Sequence, residues 1–541
     1  MNRVDILDST LRDGAQGNGI SFSVEDKLNI VRRLDELGVA YIEAGNPGSN
    51  PKDLEFFRRA SALKLRSSVL VAFGSTRRKG IRAEEDDNLK ALLTADTDIA
   101  AIFGKCWDLH VREVIHTTEE ENLRMIEDSC KFMADHGKRV FFDAEHFYDG
   151  YRANPGFALH ALDAAVAGGA CCLVLCDTNG GTFPDEVFEV TKQITERFER
   201  SAVQIGVHFH NDCGMAVANS VCGVKAGATH VQGTYLGFGE RCGNANLSTI
   251  IPDLQLKCGC RCIPDENIHM LTDTAVQVAE ISNVSLPEGE PYVGNSAFAH
   301  KAGMHADGVL KLSSSFEHVD PDSVGNTRRF LTSEMAGRTV ILKKVNAFCP
   351  ELTKDSPEMA GIMKALKEQE HEGYQYEGAD SSFELLVRKK TGKYRPFFEL
   401  MNYKIISGRP SEPGCSASAT VKVRVGEKVQ LMAAEGNGPV NALDKALRSA
   451  LEVFYPCLSS AHLIDYKVRV MDGKDATAAH VRVLITSTDG RNMWTTVGVS
   501  GDVVEASWLA LVDSVEYLLL KNAEGEWNYQ EEAKLSSASR S

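Results

Sequence analysis

The stretch VQIGVHFHNDCG (203–214) decides the fold. An apolar run carries two imidazoles two residues apart and then breaks into a polar turn. On an extended strand alternate side chains share a side, so His208 and His210 point the same way. The pattern of an apolar segment followed by polar residues recurs at VDILDS (4–9), VAYIEAG (39–45), SVLVAFG (68–74), DIAAIFG (98–104), RVFFDAE (139–145), CCLVLCDT (171–178) and THVQGTY (229–235). Helical stretches separate these segments. SVEDKLNIVRRLDELG (23–38) opens on a capping serine, has acidic residues early and stops at glycine.

Eight strand–helix units predict an α/β fold of the closed (β/α)8 TIM-barrel type, with an open doubly wound sheet as the alternative. The barrel is favoured because each principal polar motif falls just after a strand, where barrels build active sites. Beyond about Asn246 the rhythm stops. We expect a catalytic barrel over 1–259, mainly helical linker subdomains over 260–380 and a C-terminal α+β regulatory domain over 381–541. In that tail, strands such as FELLVRKK (383–390) and SATVKVRV (418–425) are expected to alternate with helices. GPVNALDKALRSAL (438–451) and GDVVEASWLALVDSV (501–515) share V-x-A-x-x-x-A-L, 64 residues apart, which predicts an internal repeat. The small residues and turns beside each copy, Gly436, Gly438 and Pro439 or Gly498 and Gly501, suit close backbone approach to an anion or to a neighbouring helix.

A chain of 541 residues, at roughly 150 per domain, should hold several cores. No apolar run approaches the roughly 18 residues of a membrane span and no signal-peptide pattern opens the chain. A cytoplasmic protein with its 14 cysteines mostly reduced is expected. The net charge of −16 argues against a nucleic-acid or membrane partner.

Fifteen histidines supply about 0.4 H-x-H pairs by chance, so the spacing alone says little. Position says more. Asp13 follows the first strand, His208 and His210 end the seventh, and Asn244 follows the eighth; closure of a barrel brings those strands together. One carboxylate, two neutral imidazoles and an amide oxygen would hold a divalent ion with positions left for substrate. Ordinary core or surface histidines, and a surface pair for Arg12 and Asp13, are the alternatives. Glu43 and Glu145, after strands two and five, could act as bases or orient ligands, and Thr178 follows strand six. His305, in HKAGMHADGVLK (300–311), could reach over the rim from outside the barrel. CGCRC (258–262) lacks the C-x2-C pairs of common zinc sites and reads as reduced thiols.

LDSTLRDGAQG (7–17), HFHNDCGMAVANS (208–220), GFGERCGNANL (237–247) and NSAFAHKAGMHADGVLK (295–311) together resemble the isopropylmalate, homocitrate and citramalate synthase family. FGKCWDLH, DAEHFYDGYRANP and LCDTNGGTFPDE resemble most its long citramalate-forming branch, and the resemblance spans essentially the whole chain. It implies a divalent metal (Mg2+, Mn2+ or Zn2+) on Asp13, His208, His210 and Asn244, with Arg12 beside the substrate keto oxygen. Glu145 and His305 join the catalytic set, Thr178 binds the keto-acid carboxylate, and Glu43 and Glu240 orient their neighbours. The implied reaction condenses acetyl-CoA with pyruvate, under feedback by isoleucine, in a homodimer. A larger keto acid, a carbon–carbon lyase and a silent amino-acid-binding regulator are the rival readings. Phe73, Phe103 and Trp107 would narrow a pocket, or simply pack a core.

Overall fold

The computed structural model describes residues 2–301, 303–330, 338–408, 416–471, 480–525 and 527. They form two compact units, residues 1–299 with 317–329, and residues 300–316 with 330–541.

In the first unit eight parallel strands close in sequence order: β1 (Asp5–Asp8), β2 (Tyr41–Glu43), β3 (Val69–Ser75), β4 (Ile99–Lys105), β5 (Arg139–Glu145), β6 (Ala170–Asp177), β7 (Gln204–Phe209) and β8 (His230–Gly233). β8 returns to β1, with Asp5 opposite His230 and Asp8 opposite Gly233, so the expected TIM barrel is the observed fold. The strands read as apolar runs because both of their faces are buried. Ile6, Phe142, Ala144, Val207 and Phe209 pack between barrel and helices. Leu7, Tyr41, Val71, Phe141 and Val174 form a separate cluster inside it. Further along the strands the inward positions turn polar, at Asp143 and Glu145 of β5, His208 of β7 and Gln232 of β8.

The helix Val24–Leu37 forms as its sequence predicts. Ser23 Oγ accepts from the Asp26 amide at 3.1 Å, the Asp26 carboxylate accepts from the Ser23 amide at 2.8 Å, and Gly38 ends the helix at φ 96°.

The second unit repeats one pattern twice. Antiparallel strands Glu399–Ser407, Ala417–Val425 and Lys428–Gly436 precede the helix Pro439–Glu452, and strands His462–Val470, Val481–Thr488 and Met493–Ser500 precede the helix Val503–Ala523. The shared residues Ala442, Ala446 and Leu447, and their counterparts Ala506, Ala510 and Leu511, are buried in one core. The repeat in sequence is thus a repeat in packing. A Cβ on Gly498 would stand 2.1 Å from the Ala506 carbonyl oxygen and one on Gly436 2.5 Å from the Ala442 nitrogen, whereas Gly438 and Gly501 face open space. Of the two uses expected for these glycines, close approach to a helix accounts for Gly436 and Gly498.

One expectation fails. FELLVRKK is not a strand but most of the helix Asp380–Lys390. Ser381 to Arg388 are all buried, with Phe383, Leu386 and Val387 against Val497 and Val499, and Glu384 bonded to Lys521. A helix buried all round has no amphipathic period, and a short apolar run then reads equally well as a strand.

Candidate active site

At the carboxyl ends of the strands a cavity of about 280 Å³ is lined by Arg12, Asp13, Gln16, Phe73, Phe103, Asp143, Glu145, Cys176, Thr178, His208, His210, Glu240 and Arg241. Asp13 Oδ2 lies 3.5 Å from His208 Nε2, 3.9 Å from His210 Nε2 and 3.3 Å from Arg12 Nη1. Among the described residues, Asp13, His208 and His210 are the one group of three or more His, Cys, Asp or Glu residues whose potential ligand atoms all lie within 4.8 Å of one another.

Burial pushes the His208 imidazole down to about 3 and lowers that of His210, against the opposing pull of Asp13, so both rings are neutral. Burial alone would raise Asp13, but the Arg12 guanidinium beside it holds its carboxyl below the usual carboxylate range. Asn244 is tied to His210 by a backbone bridge. Its Nδ2 donates to the Phe238 carbonyl at 3.0 Å, which leaves Oδ1 buried without a hydrogen-bond partner among the described residues. Gly239 makes that placement possible: its φ is 155°, and a Cβ there would lie 2.2 Å from Asn244 Nδ2. A carboxylate, two neutral nitrogen donors and an orphaned amide oxygen are a donor set that fits a divalent ion.

Arg12 is clamped on three sides. Its Nε donates to Glu43 Oε2 at 2.7 Å, its guanidinium lies 3.8 Å from the centre of the Phe73 ring, and Nη1 faces Asp13. Glu43 is fully buried and also accepts from Ser9 Oγ at 2.5 Å. Phe73 stacks on Phe103 with ring centres 5.3 Å apart. Trp107 is not in this wall and stacks on His110 instead.

Glu145, the last residue of β5, forms an ion pair with Lys105, the last residue of β4. Thr178 Oγ1 accepts from the His146 amide at 2.9 Å, so its own proton is free for an acceptor in the cavity. Glu240 lines the cavity beside Arg241, whose Nη2 donates to the Thr178 carbonyl at 2.8 Å. His305 belongs to the second unit, where its exposed ring stacks on Phe316 at 4.5 Å.

Lys105, Asp143, Gln232 and Arg241 escaped the sequence reading. The first three had a legible signal, a polar residue at an inward position of a strand otherwise apolar on both faces. Arg241, on a loop, had none.

Three family models match in succession: "HMGL-like" over residues 3–284, "Homocitrate synthase post-HMGL domain-like" over 292–373 and "LeuA allosteric (dimerisation) domain" over 377–519. The chain is 49% identical over 523 residues to an (R)-citramalate synthase of Aquifex aeolicus, covering 96% of this chain and 99% of that one. It is 48% identical over 527 residues to an (R)-citramalate synthase of Geobacter sulfurreducens, covering 97% and 99%. A probable 2-isopropylmalate synthase of Methanopyrus kandleri is 32% identical over 520 residues, covering 96% and 98%. With the barrel, the donor set at its mouth and near full-length identity in agreement, the chain belongs to the (R)-citramalate synthase family.

Proposed function

We propose that this protein condenses acetyl-CoA with pyruvate to give (R)-citramalate and free CoA. The observation that carries the reading is the juxtaposition, in one cavity, of Asp13, His208 and His210 with the clamped guanidinium of Arg12. These three and Asn244 would hold a divalent metal, which would supply Lewis acidity toward the keto acid. Mg2+, Mn2+ and Zn2+ all suit mixed oxygen and nitrogen donors.

The chain's own residues supply the rest. Thr178 Oγ donates to the keto-acid carboxylate. Arg12 places a fixed positive charge where the ketone oxygen becomes an alkoxide, and its clamp means that no reorganisation is needed as charge develops. Glu145, oriented by Lys105, takes part in removing a methyl proton from acetyl-CoA; His305 is assigned to the same proton handling from its motif. The carbanion attacks the ketone carbon, and hydrolysis of the resulting thioester releases CoA. Glu43 and Glu240 orient their arginine neighbours. The stacked rings of Phe73 and Phe103 and the modest cavity favour a methyl-bearing keto acid over a larger one.

The second unit is proposed to bind isoleucine as feedback effector, near the turns at Gly436, Gly438 and Pro439 and at Gly498 and Gly501, with unequal affinity for two conformational states. Apolar residues left exposed on its strands, among them Leu431 at 61% and Ile464 at 51%, support assembly as a homodimer. Among the described residues no helix is long and apolar enough to cross a membrane.

The test is CoA release by metal-loaded protein with acetyl-CoA and, separately, pyruvate, 2-oxoisovalerate or 2-oxoglutarate, each with and without isoleucine. Turnover mainly with pyruvate, suppressed by isoleucine, is expected. Preference for a larger acid overturns the substrate assignment, and no release with any acceptor overturns the catalytic reading.

A further inference from the structure

A line of hydrogen bonds crosses the barrel interior just beneath the metal donors. His208 Nδ1 meets Gln232 Oε1 at 3.1 Å, and Gln232 Nε2 donates to Asp143 Oδ1 at 3.0 Å. His208 and Gln232 are register partners on adjacent strands β7 and β8, while Asp143 comes from β5. All three side chains are buried, Gln232 completely. Gln232 is enclosed by protein on every side, so its two bonds in this line go to protein groups.

We infer that Asp143 and Gln232 are positioning residues that fix the tautomer of His208, holding its proton on Nδ1 and leaving the lone pair of Nε2 on the side of Asp13. The inference deepens the metal reading above and rests on it.

The direction follows from donor and acceptor chemistry. In the structure Gln232 turns its NH2 toward Asp143 Oδ1, which accepts, and its carbonyl toward His208. A carbonyl can only accept, so His208 must donate from Nδ1. In a neutral imidazole the other nitrogen is then bare, and Nε2 is the atom 3.5 Å from Asp13 Oδ2. A carboxylate oxygen and a ring lone pair facing each other repel unless a cation lies between them. Protonation of Asp143 on its other oxygen leaves the line intact, because Oδ1 still accepts.

The second imidazole lacks such a device: among the described residues His210 Nδ1 is buried without a hydrogen-bond partner. The two rings are therefore held unequally, with only His208 fixed through its Nδ1. Replacing the partner of a ligating imidazole typically weakens metal binding 10- to 100-fold.

The experiment measures Zn2+ and Mn2+ affinity of the full chain by competition with a fluorescent chelator. Gln232→Leu, which offers His208 no acceptor, is expected to weaken binding by about 10-fold or more. The double variant Gln232→Glu with Asp143→Asn again sets an acceptor against His208 Nδ1, with the second bond of the line reversed so that position 143 donates. It is expected to recover affinity to within about threefold, a rescue that repair of packing alone does not produce. In parallel, 15N-histidine NMR of the metal-free wild-type chain is expected to give His208 a protonated Nδ1 and a bare Nε2. Wild-type affinity in folded Gln232→Leu, no rescue by the double variant, or a proton on Nε2 in the wild-type chain each overturns this inference and leaves the metal site standing. Failure of the wild-type chain to bind either ion overturns the metal reading itself.

Discussion

Arg12 Nε donates to Glu43 Oε2 at 2.7 Å, joining the first strand's loop to the end of the second across the mouth of the barrel. The same carboxylate oxygen also holds Ser9, so the guanidinium is aimed before any substrate arrives. Glu43→Gln keeps the volume but gives up the charge-assisted bond, and kcat/KM for pyruvate is expected to fall on the order of 10- to 100-fold. Arg12→Lys is expected to cost at least about 10²-fold, since an ammonium cannot bond Glu43, face Asp13 and stack on Phe73 together. Steady-state kinetics with unchanged melting temperatures checks both, and near-normal turnover in either variant contradicts the role given to the clamp.

Dialysis against a chelator is expected to abolish turnover, and titration with Mn2+ or Mg2+ to restore it. Asn244→Ala removes the orphaned Oδ1 and is expected to weaken metal affinity about tenfold without unfolding the barrel. Calorimetric titration of the metal reads this directly.

Phe103 is half of the stacked pair that walls the cavity. Phe103→Leu enlarges that wall, and the ratio of kcat/KM for 2-oxobutanoate to that for pyruvate is expected to rise about 10-fold, the scale of one added methylene in an apolar pocket. An unchanged ratio would place the acyl pocket elsewhere.

Glu516 carries a pH dependence of stability. Burial pushes its carboxyl up to about 7, although the Phe397 amide donates to both of its oxygens, at 3.1 Å and 3.3 Å. The unfolded chain releases this proton near its ordinary value of 4.5 and the folded chain keeps it to about 7. The folded state therefore binds more protons in that window, so its contribution is full below about 4.5 and is lost as pH rises through 7. Glu516→Gln is expected to unfold at a higher urea concentration than the parent at pH 8 and at a similar one at pH 4. Parallel unfolding midpoints across the range would sink the assignment.

Gly498→Ala and Gly501→Ala separate packing from effector binding. The first forces a methyl against the Ala506 carbonyl and is expected to destabilise the second unit by about 2 kcal/mol or more, while the second enters open space and leaves stability within about 0.5 kcal/mol. Loss of isoleucine inhibition in the stable Gly501→Ala variant supports an effector site at that turn; full inhibition there moves the site away from it.

The barrel was legible because each strand announced itself by an apolar run and each run ended in polar residues. The clustering of Asp13, His208 and His210 was legible for the same reason, since they follow or end strands that closure makes neighbours. The interior line of Asp143 and Gln232 was hidden by its surroundings: single polar residues within strongly apolar runs resemble noise until the alternation is traced residue by residue. The helix Asp380–Lys390 was hidden by its own burial, which erased the period that distinguishes a helix. The place of His305 in a second compact unit could not be read from a motif at all.

The return of β8 to β1 has a consequence for biosynthesis. Asp13 emerges from the ribosome nearly two hundred residues before His208, and Asn244 later still. Until the eighth strand docks on the first, a nascent chain has at most the His208 and His210 pair, without Asp13 beside it. The full donor set of the proposed metal site is thereby deferred until the barrel is whole, and an incomplete chain offers only part of it.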